Sequence, residues 1–232
     1  MIGRLRRPRH PFRWLGGLLV LAVGLAVAIP YAYIHLISGP APAALSASAG
    51  PAPAAATGSV AGQWRVASGS AAGYRVSEVL AGQSTTAVGR TNAVTGQFTV
   101  AGGQVKDASF TVDLTKVKSD QSPRDAQFQG RIMNTARYPT TTFVLSQPIA
   151  LGSLATAAGT STVQAVGTLS LHGVQRQVTV PLTVVRSGSS VQVSGQVPVV
   201  FADYKVANPS FGSFVKTQDH GTIEVLLTLA KA

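Results

Sequence analysis

Few side chains of this 232-residue sequence belong to the types that catalyse reactions or bind metals. Cysteine is absent, and only two of the four histidines, His172 and His220, lie outside the basic and apolar N-terminal region. His172 lies in a predicted hairpin turn and His220 just before a predicted strand, where an imidazole ordinarily bonds to the backbone. A metal site needs further converging ligands, and the spacing supplies none. We therefore predict a protein that is not an enzyme and that has no metal and no cofactor.

Two other sets of charged residues are candidate sites. Asp203 and Asp219 offer a pair of carboxylates, but aspartates in predicted turns are ordinarily solvated. A basic group surrounds residues 119–139, opposed only by Asp120 and Asp125, and its members are Lys116, Lys118, Arg124, Arg131 and Arg137. Because such cations form charge-assisted hydrogen bonds with phosphate, these five are candidates for holding the head group of a ligand. A solvated basic surface is the alternative interpretation.

The net charge of +11 suggests nucleic-acid binding until its distribution is considered. Five arginines fall within residues 1–13, directly before residues 14–37, which contain no charged side chain. A segment of this length spans the ~30 Å hydrocarbon core of a bilayer as a helix. The next basic residue is Arg65, so the positive-inside rule places residues 1–13 in the cytoplasm and the C-terminal part outside it. We therefore predict a single-pass membrane protein with an extracytoplasmic domain and no nucleic-acid partner.

A cleaved signal peptide is the alternative, because APA at 41–43 and ASA at 47–49 resemble cleavage sites. The apolar run is longer than the usual signal core of about 7–15 residues, which favours an uncleaved anchor. The Pro-, Ala-, Ser- and Gly-rich stretch that follows is typical of an extended or flexible linker. The sequence thus predicts four parts, a basic tail (1–13), a transmembrane helix or signal anchor (14–37), a linker (38–62) and a folded domain (63–232).

Alternation of apolar and polar residues recurs throughout the folded domain. In residues 167–184, GTLSLHGVQRQVTVPLTV, two alternating runs flank the turn LHGVQR, which is typical of a β-hairpin. Over the whole domain, roughly eight or nine such runs occur at short spacing, which predicts an antiparallel all-β barrel or sandwich. Residues 119–139 lack alternation, and SPRD resembles a helix start with Ser122 as the cap and Pro123 at the first position. We expect a short helix there, covering one opening of the barrel.

One face of the predicted strands is apolar. The residues that share this inward parity include Phe98, Phe110, Val112, Phe143, Leu145, Leu169, Leu171, Val180 and Leu182. An eight-stranded barrel has an interior that its side chains fill or that admits one small ligand. Alternation alone favours a packed, dry core over a ligand tunnel.

Residues from about 64 to 231 resemble the YceI-like family, bacterial proteins that bind polyisoprenoid lipids in a lipocalin-like barrel. The strongest match is GTLSLHGVQRQVTVPL, where the family's signature falls on Gly167, Leu169, His172, Gly173, Val174 and Val178. A second match, in RDAQFQGRIMNTARYPTTTF, falls on Arg124, Asp125, Tyr138, Pro139 and Phe143. A third includes Asp203 in ADYKV and Glu224 in GTIEVLLTL.

The resemblance implies an antiparallel, eight-stranded lipocalin-like barrel whose inward residues line an apolar tunnel. With the predicted anchor, it implies a membrane-anchored, extracytoplasmic protein that binds a polyisoprenoid lipid, of the quinone or polyprenyl phosphate type. Many family members are free periplasmic proteins and have a histidine near Ser77 or Glu78, and this chain departs from both patterns. The alternative is a structural or interaction barrel with a side-chain-filled core and no ligand. The sequence leaves a homodimer open.

Overall fold

The strands of the folded domain pair into one antiparallel sheet. The computed structural model describes residues 17–18, 21–25, 40–48, 54–55, 58–80, 82–210, 212 and 215–232. The strands are β1 (Gly62–Val66), β2 (Ala71–Leu80), β3 (Gln83–Thr91), β4 (Val94–Ala101), β5 (Gln104–Asp113), β6 (Lys118–Ser119), β7 (Thr140–Leu145), β8 (Ile149–Ala150), β9 (Gly159–Leu171), β10 (Val174–Ser187), β11 (Ser190–Val200), β12 (Val215–Thr217) and β13 (His220–Lys231).

Eight of these strands form a closed ring in the order β1, β4, β5, β7, β9, β10, β11 and β13, and β13 pairs back onto β1. Closure uses the last residues of β13, where Trp64 pairs with Lys231. The earlier part of β13 pairs instead with β2, which continues the sheet into β3 and β6. The predicted antiparallel eight-stranded barrel is therefore confirmed, with β2 and β3 as an additional flap at one end.

The hairpin at residues 167–184 forms as the alternation predicts, from β9 and β10. Leu171 pairs with Val174 across a two-residue turn in which His172 and Gly173 both have positive φ, +50° and +76°. Two positive φ angles define the turn type whose twist matches that of the flanking strands. A Cβ atom at Gly173 would lie 2.6 Å from the Tyr138 ring, so the close approach of this ring requires glycine.

The irregular stretch between β5 and β7 folds as a cap over one end of the barrel. This cap segment, residues 114–139, contains a 3₁₀ turn (Leu114–Lys116), the short helix Ser122–Gln127 and a π-helical turn (Phe128–Ile132). The predicted short helix is present, but Ser122 is its first residue and does not cap it. Gln121 occupies the cap position without a side-chain hydrogen bond. Asp125 instead fixes the helix, since its buried carboxylate accepts hydrogen bonds from Ser119 N at 2.7 Å and Ser119 Oγ at 2.8 Å.

The two ends of the barrel have separate cores. At the closed end, where the β4–β5 and β10–β11 turns lie, Trp64 stacks on Phe98 with ring centroids 6.1 Å apart. At the cap end, where the β9–β10 turn lies, Phe128 of the cap segment stacks on Tyr74 of β2 at 5.0 Å. The strands therefore supply the first core, and the cap segment completes the second.

The predicted linker lies against the barrel over part of its length. Residues 40–48, which we call the strap, have no helix or strand and run along the outer face. Arg75 Nη2 donates to Pro42 O at 2.7 Å, and Leu45 N donates to the Glu224 carboxylate at 3.2 Å. The expectation of an extended segment holds for the strap, but the strap is bound to the domain and does not serve only as a spacer.

The basic tail (1–13) lies outside the described residues, and so does most of the predicted transmembrane segment (14–37). Residues 17–18 and 21–25 of this segment are described and are helical and exposed. Within the described part of the chain, no helix has both the length and the apolar character needed to cross a membrane.

Candidate ligand-binding site

A cavity of about 190 Å³, which we call the smaller cavity, occupies the closed end of the barrel. Its walls are apolar except for Thr141, Thr142 and Arg186. Eight of the nine inward residues named from the alternation line it, namely Phe98, Phe110, Val112, Phe143, Leu145, Leu169, Val180 and Leu182. A cavity of this volume slightly exceeds an engineered one of about 150 Å³ that binds benzene.

Arg186 closes the outer end of the smaller cavity. Its side chain is 3% exposed, and its two terminal nitrogens donate to Leu154 O at 2.8 Å and Gly58 O at 2.7 Å. These carbonyls belong to the 3₁₀ turn Gly152–Ala155 and to the chain just before β1. The arginine stem thus lines the cavity while its guanidinium ties two loops together across the barrel end.

A larger cavity of about 720 Å³ lies under the cap segment. Its inner wall is apolar and includes Leu171, the ninth residue of the predicted inward set, together with Leu114, Val117, Phe128 and Met133. It also reaches the outer face at β3, where Val88, Arg90 and strap residues Pro40, Ala41 and Pro42 line it. Its volume falls within the range of about 300–1,000 Å³ that is typical of ligand sites.

The two cavities meet inside the barrel. Four residues line both of them, and these are Ala72, Val112, Thr141 and Ile223. They come from β2, β5, β7 and β13, so they form one layer across the barrel axis. The two cavities therefore adjoin at this layer, one towards the closed end and the other under the cap segment.

The larger cavity has a polar rim on one side. Arg124 of the short helix donates to Glu78 of β2 at 3.0 Å and also pairs with Asp120. Nearby, the Tyr74 ring lies over Gly89, where a Cβ atom would come within 2.3 Å of it. Burial raises the pKa of the Tyr74 hydroxyl well above its ordinary value, although the Arg124 charge partly opposes this. The rim therefore presents the protonated Tyr74 hydroxyl, which can donate a hydrogen bond. Beside it lies Arg124, whose charge is neutralised by Glu78 and Asp120.

The five basic residues predicted from the sequence do not all lie at this rim. Lys118, Arg124 and Arg131 line the larger cavity, and the lining does not include Lys116 or Arg137, which are exposed elsewhere on the cap segment. Lys118 pairs with Asp125 at 3.5 Å. Arg131 donates only to neutral oxygens, Gln127 Oε1 at 3.1 Å and the backbone carbonyls of residues 208 and 209. Arg131 is thus the one of the three that has no carboxylate partner among the described residues.

Residues of the signature segments meet at the cap end, where they hold the cap segment to the barrel. The Tyr138 ring contacts the His172 ring edge-on at 4.6 Å, and His172 Nδ1 lies 3.2 Å from Tyr204 O. The imidazole therefore bonds to the backbone, as predicted for a turn histidine. Asp203 pairs with Arg176 at 3.1 Å, and Asp219 pairs with His220. The two aspartates consequently have different partners and do not form a carboxylate pair.

Glu224 is the most deeply buried charged side chain of the described residues, and sequence reasoning did not single it out as a site. It is 1% exposed, although it points to the outer face of β13. Arg90 Nη2 donates to it at 2.8 Å and Arg75 Nε lies 3.5 Å away. Arg90 reaches it across Gly73, where a Cβ atom would lie 2.9 Å from Arg90 Cγ. The signal available in the sequence was Gly73, because β2 lies between β3, which carries Arg90, and β13, which carries Glu224.

Comparisons with known proteins agree with this architecture. Residues 64–229 match the family model of the YceI-like domain, and no curated protein matches the chain. A polyisoprenoid-binding domain from Saccharophagus degradans, implicated in plant cell wall breakdown, has a similar structure with TM-score 0.60 and 19% identity, over 74% of this chain and 99% of that one. BcnA of Burkholderia cenocepacia is similar with TM-score 0.53 and 23% identity, over 67% and 95% of the two chains. At these identities the likeness concerns the fold.

Proposed function

Because the chain belongs to the YceI-like domain family, we propose that it binds a polyisoprenoid lipid inside its barrel. The observation that carries this proposal is the pair of adjoining cavities, which together provide a long apolar space with one polar rim. Burial of an isoprenoid chain there would contribute about 25 cal/mol for each Å² removed from water. The alternative is a barrel filled by its own side chains, which would have no room for a lipid tail.

We further propose that the protein is anchored in the membrane with the barrel outside the cytoplasm. The support is in the sequence, since the arginines of residues 1–13 precede the uncharged residues 14–37. The positive-inside rule then orients the chain. A reporter that works only outside the cytoplasm, fused after Ala232, is expected to be active, and a reporter active only inside would contradict this topology.

The rim favours a neutral head group, such as a quinone ring, over a phosphate. Arg124 and Lys118 already have carboxylate partners, so a phosphate would have to compete with Glu78 and Asp125 for them. The protonated Tyr74 hydroxyl can donate to a quinone carbonyl. Arg131 remains the candidate for an anionic head group, since all its acceptors are neutral.

Mass spectrometry of an organic extract of the purified chain tests the proposal directly, and we expect an isoprenoid lipid in it. For the head group, binding of a quinone is compared with that of a polyprenyl phosphate with the same tail. Arg131→Gln should leave quinone binding unchanged, with Lys116→Gln as a matched control because Lys116 does not line the cavity. The opposite result would assign a phosphate head group. In that case the polyprenyl phosphate binds more tightly than the quinone, and Arg131→Gln weakens its binding about tenfold. Extracts that never contain lipid would support the packed-barrel alternative.

A further inference from the structure

The strap contacts the outer face of the barrel, and residue 54, further along the chain, contacts the closed end. Pro40, Ala41 and Pro42 line the larger cavity near the cap end. Further along, Ser48 N donates to Gln192 on β11 at 3.2 Å. Ala54 then exchanges hydrogen bonds with Ser187 and Gly188 at the β10–β11 turn, at 2.9 and 3.0 Å. The chain thus reaches the closed end before β1 begins.

The attachment of the strap is specific, because it uses a buried charge. Leu45 N donates to Glu224 Oε2, while the two arginines that neutralise Glu224 also donate to strap carbonyls, Arg75 to Pro42 O and Arg90 to Ala43 O. The strap therefore makes a hydrogen bond with each of the three charged groups and covers the carboxylate, while Arg75 Nε has no hydrogen-bond partner among the described residues. Such charge-assisted bonds are about twice as strong as neutral ones.

This course determines which end of the barrel lies nearest residue 37. If residues 38–61 were a free spacer, the end joined to the spacer would be the closed end, where β1 starts. With the strap attached, the chain leaves the barrel at Pro40, beside the opening of the larger cavity. Residue 37 is only three positions before Pro40, so the two lie at most about 10 Å apart.

We infer that the strap holds the barrel with its cap end against the membrane, so that the larger cavity opens at the bilayer surface. This inference rests on the proposed membrane anchor at residues 14–37. A lipid tail then passes between the bilayer and the barrel without crossing an aqueous gap. The protein therefore takes up or delivers lipid at the membrane in which it is anchored. The strap prevents free rotation of the barrel relative to this membrane.

The orientation does not depend on anionic lipid. At the cap end Arg124, Lys118 and Arg176 are each paired to a carboxylate, whereas Arg131 has only neutral acceptors, so anionic lipid would add an attraction that the inference does not use. Uncharged phosphatidylcholine bilayers are therefore sufficient for a test, and high salt should not change its result.

The absence of cysteine allows single-site labelling of the full chain in phosphatidylcholine nanodiscs. Ser84→Cys, at the cap end, and Ser190→Cys, at the closed end, are a matched pair because both serines are exposed and directly follow the β2–β3 and β10–β11 turns. Each receives a fluorophore, and the bilayer contains lipids with a spin label in the head group. We expect the probe at residue 84 to lose most of its fluorescence and the probe at residue 190 to keep it. Equal quenching at both sites, or stronger quenching at residue 190, would overturn the inference.

Two insertions then test whether the strap is responsible. Twelve Gly and Ser residues inserted after residue 37 move the cap end away by about 20 Å on average and should abolish quenching at residue 84. The same insertion between residues 50 and 51, after the strap, should leave it unchanged. Strap attachment would be contradicted if the insertion between residues 50 and 51 abolished quenching at residue 84. It would also be contradicted if quenching persisted after the insertion that follows residue 37. Lipid content, measured on the same samples, reports on the proposed binding function independently of orientation, and failure to enter nanodiscs would refute the anchor and this inference with it.

Discussion

The closed end and the cap end of the barrel build their cavities from different kinds of structure. At the closed end, regular strands point alternate residues inward around about 190 Å³, and the guanidinium of Arg186 seals the opening. At the cap end, a flap of β2 and β3 and the irregular cap segment surround about 720 Å³ with a polar rim. The comparison indicates that regular strands build most of the smaller cavity, whereas the larger one depends on the irregular cap segment.

The largest expected effect is a difference in lost stability between a substitution at the closed end and one at the cap end. Phe98→Ala at the closed end should reduce the free energy of unfolding by about 3–5 kcal/mol, because Phe98 is 8% exposed and stacked between Trp64 and Phe110. Phe128→Ala at the cap end should cost less, because the lost ring borders a cavity that water can enter. Urea denaturation of residues 39–232 measures both. An equal or larger loss for Phe128→Ala would show that the cap end is as much a part of the core.

The second effect concerns the layer between the cavities. Val112→Phe should place a ring in the layer that both cavities share, remove bound lipid and leave the melting temperature of lipid-free protein almost unchanged. The control is Val185→Phe, since Val185 is buried but lines neither cavity, and overpacking there should cost about 1–3 kcal/mol while lipid is kept. Lipid-free samples are needed because bound lipid raises apparent stability. A strong destabilisation by Val112→Phe would mean that the layer is packed solid.

The closed end was predictable from the sequence and most of the cap end was not. Period-2 alternation in β5, β7 and β9 identifies inward residues without knowledge of the fold, because each strand residue's direction depends only on its parity. β3 was missed, since Gly89 and the small residues near it give no apolar alternation. Gly89 is explained only by the Tyr74 ring that lies over it.

Long-range contacts account for the other differences. The strap has a composition typical of linkers, and its attachment depends on Arg75, Arg90 and Glu224, which are far apart in the sequence. Glu224 has the parity of an outward, solvated residue, and the strap covers it together with Arg75 and Arg90. The domain was predicted to begin at residue 63, but Val60 is part of the core and its carbonyl accepts a hydrogen bond from Trp64 Nε1 at 2.8 Å.

A third, smaller effect is a pH dependence specific to the cap end. Burial raises the pKa of Tyr74 in the folded protein above its unfolded value of about 10, so the folded state keeps this proton when the unfolded state loses it. Stability is therefore fully present below pH 10 and falls as the pH rises above 10, by about 1.4 kcal/mol for each pH unit. Tyr74→Phe should remove this part of the alkaline loss in urea denaturation. Burial also raises the pKa of Tyr204, but Tyr204 is present in both the parent chain and the Tyr74→Phe variant. Identical alkaline profiles would show that water reaches the Tyr74 hydroxyl freely.

The smallest effect concerns the strap that connects the two ends. Leu45→Pro removes the N–H that donates to Glu224 and should lower the free energy of unfolding by about 1 kcal/mol. Ala44→Pro is the matched control, since Ala44 is exposed and its N–H makes no hydrogen bond within the described part of the chain. Urea denaturation of residues 39–232 compares them. Equal losses in the two variants would mean that proline stiffening, and not the bond to Glu224, determines the result.

Ring closure between β1 and β13 has a consequence for how the protein is made. The first and last strands of the domain are neighbours, with Trp64 opposite Lys231, so the barrel cannot close until the end of the chain has been synthesised. Folds dominated by such distant pairings fold slowly. Under the proposed export, the chain would therefore stay unfolded throughout translocation, as a channel that accepts extended polypeptide requires. Its apolar strand faces are then exposed to aggregation and proteases until the C-terminal strand emerges.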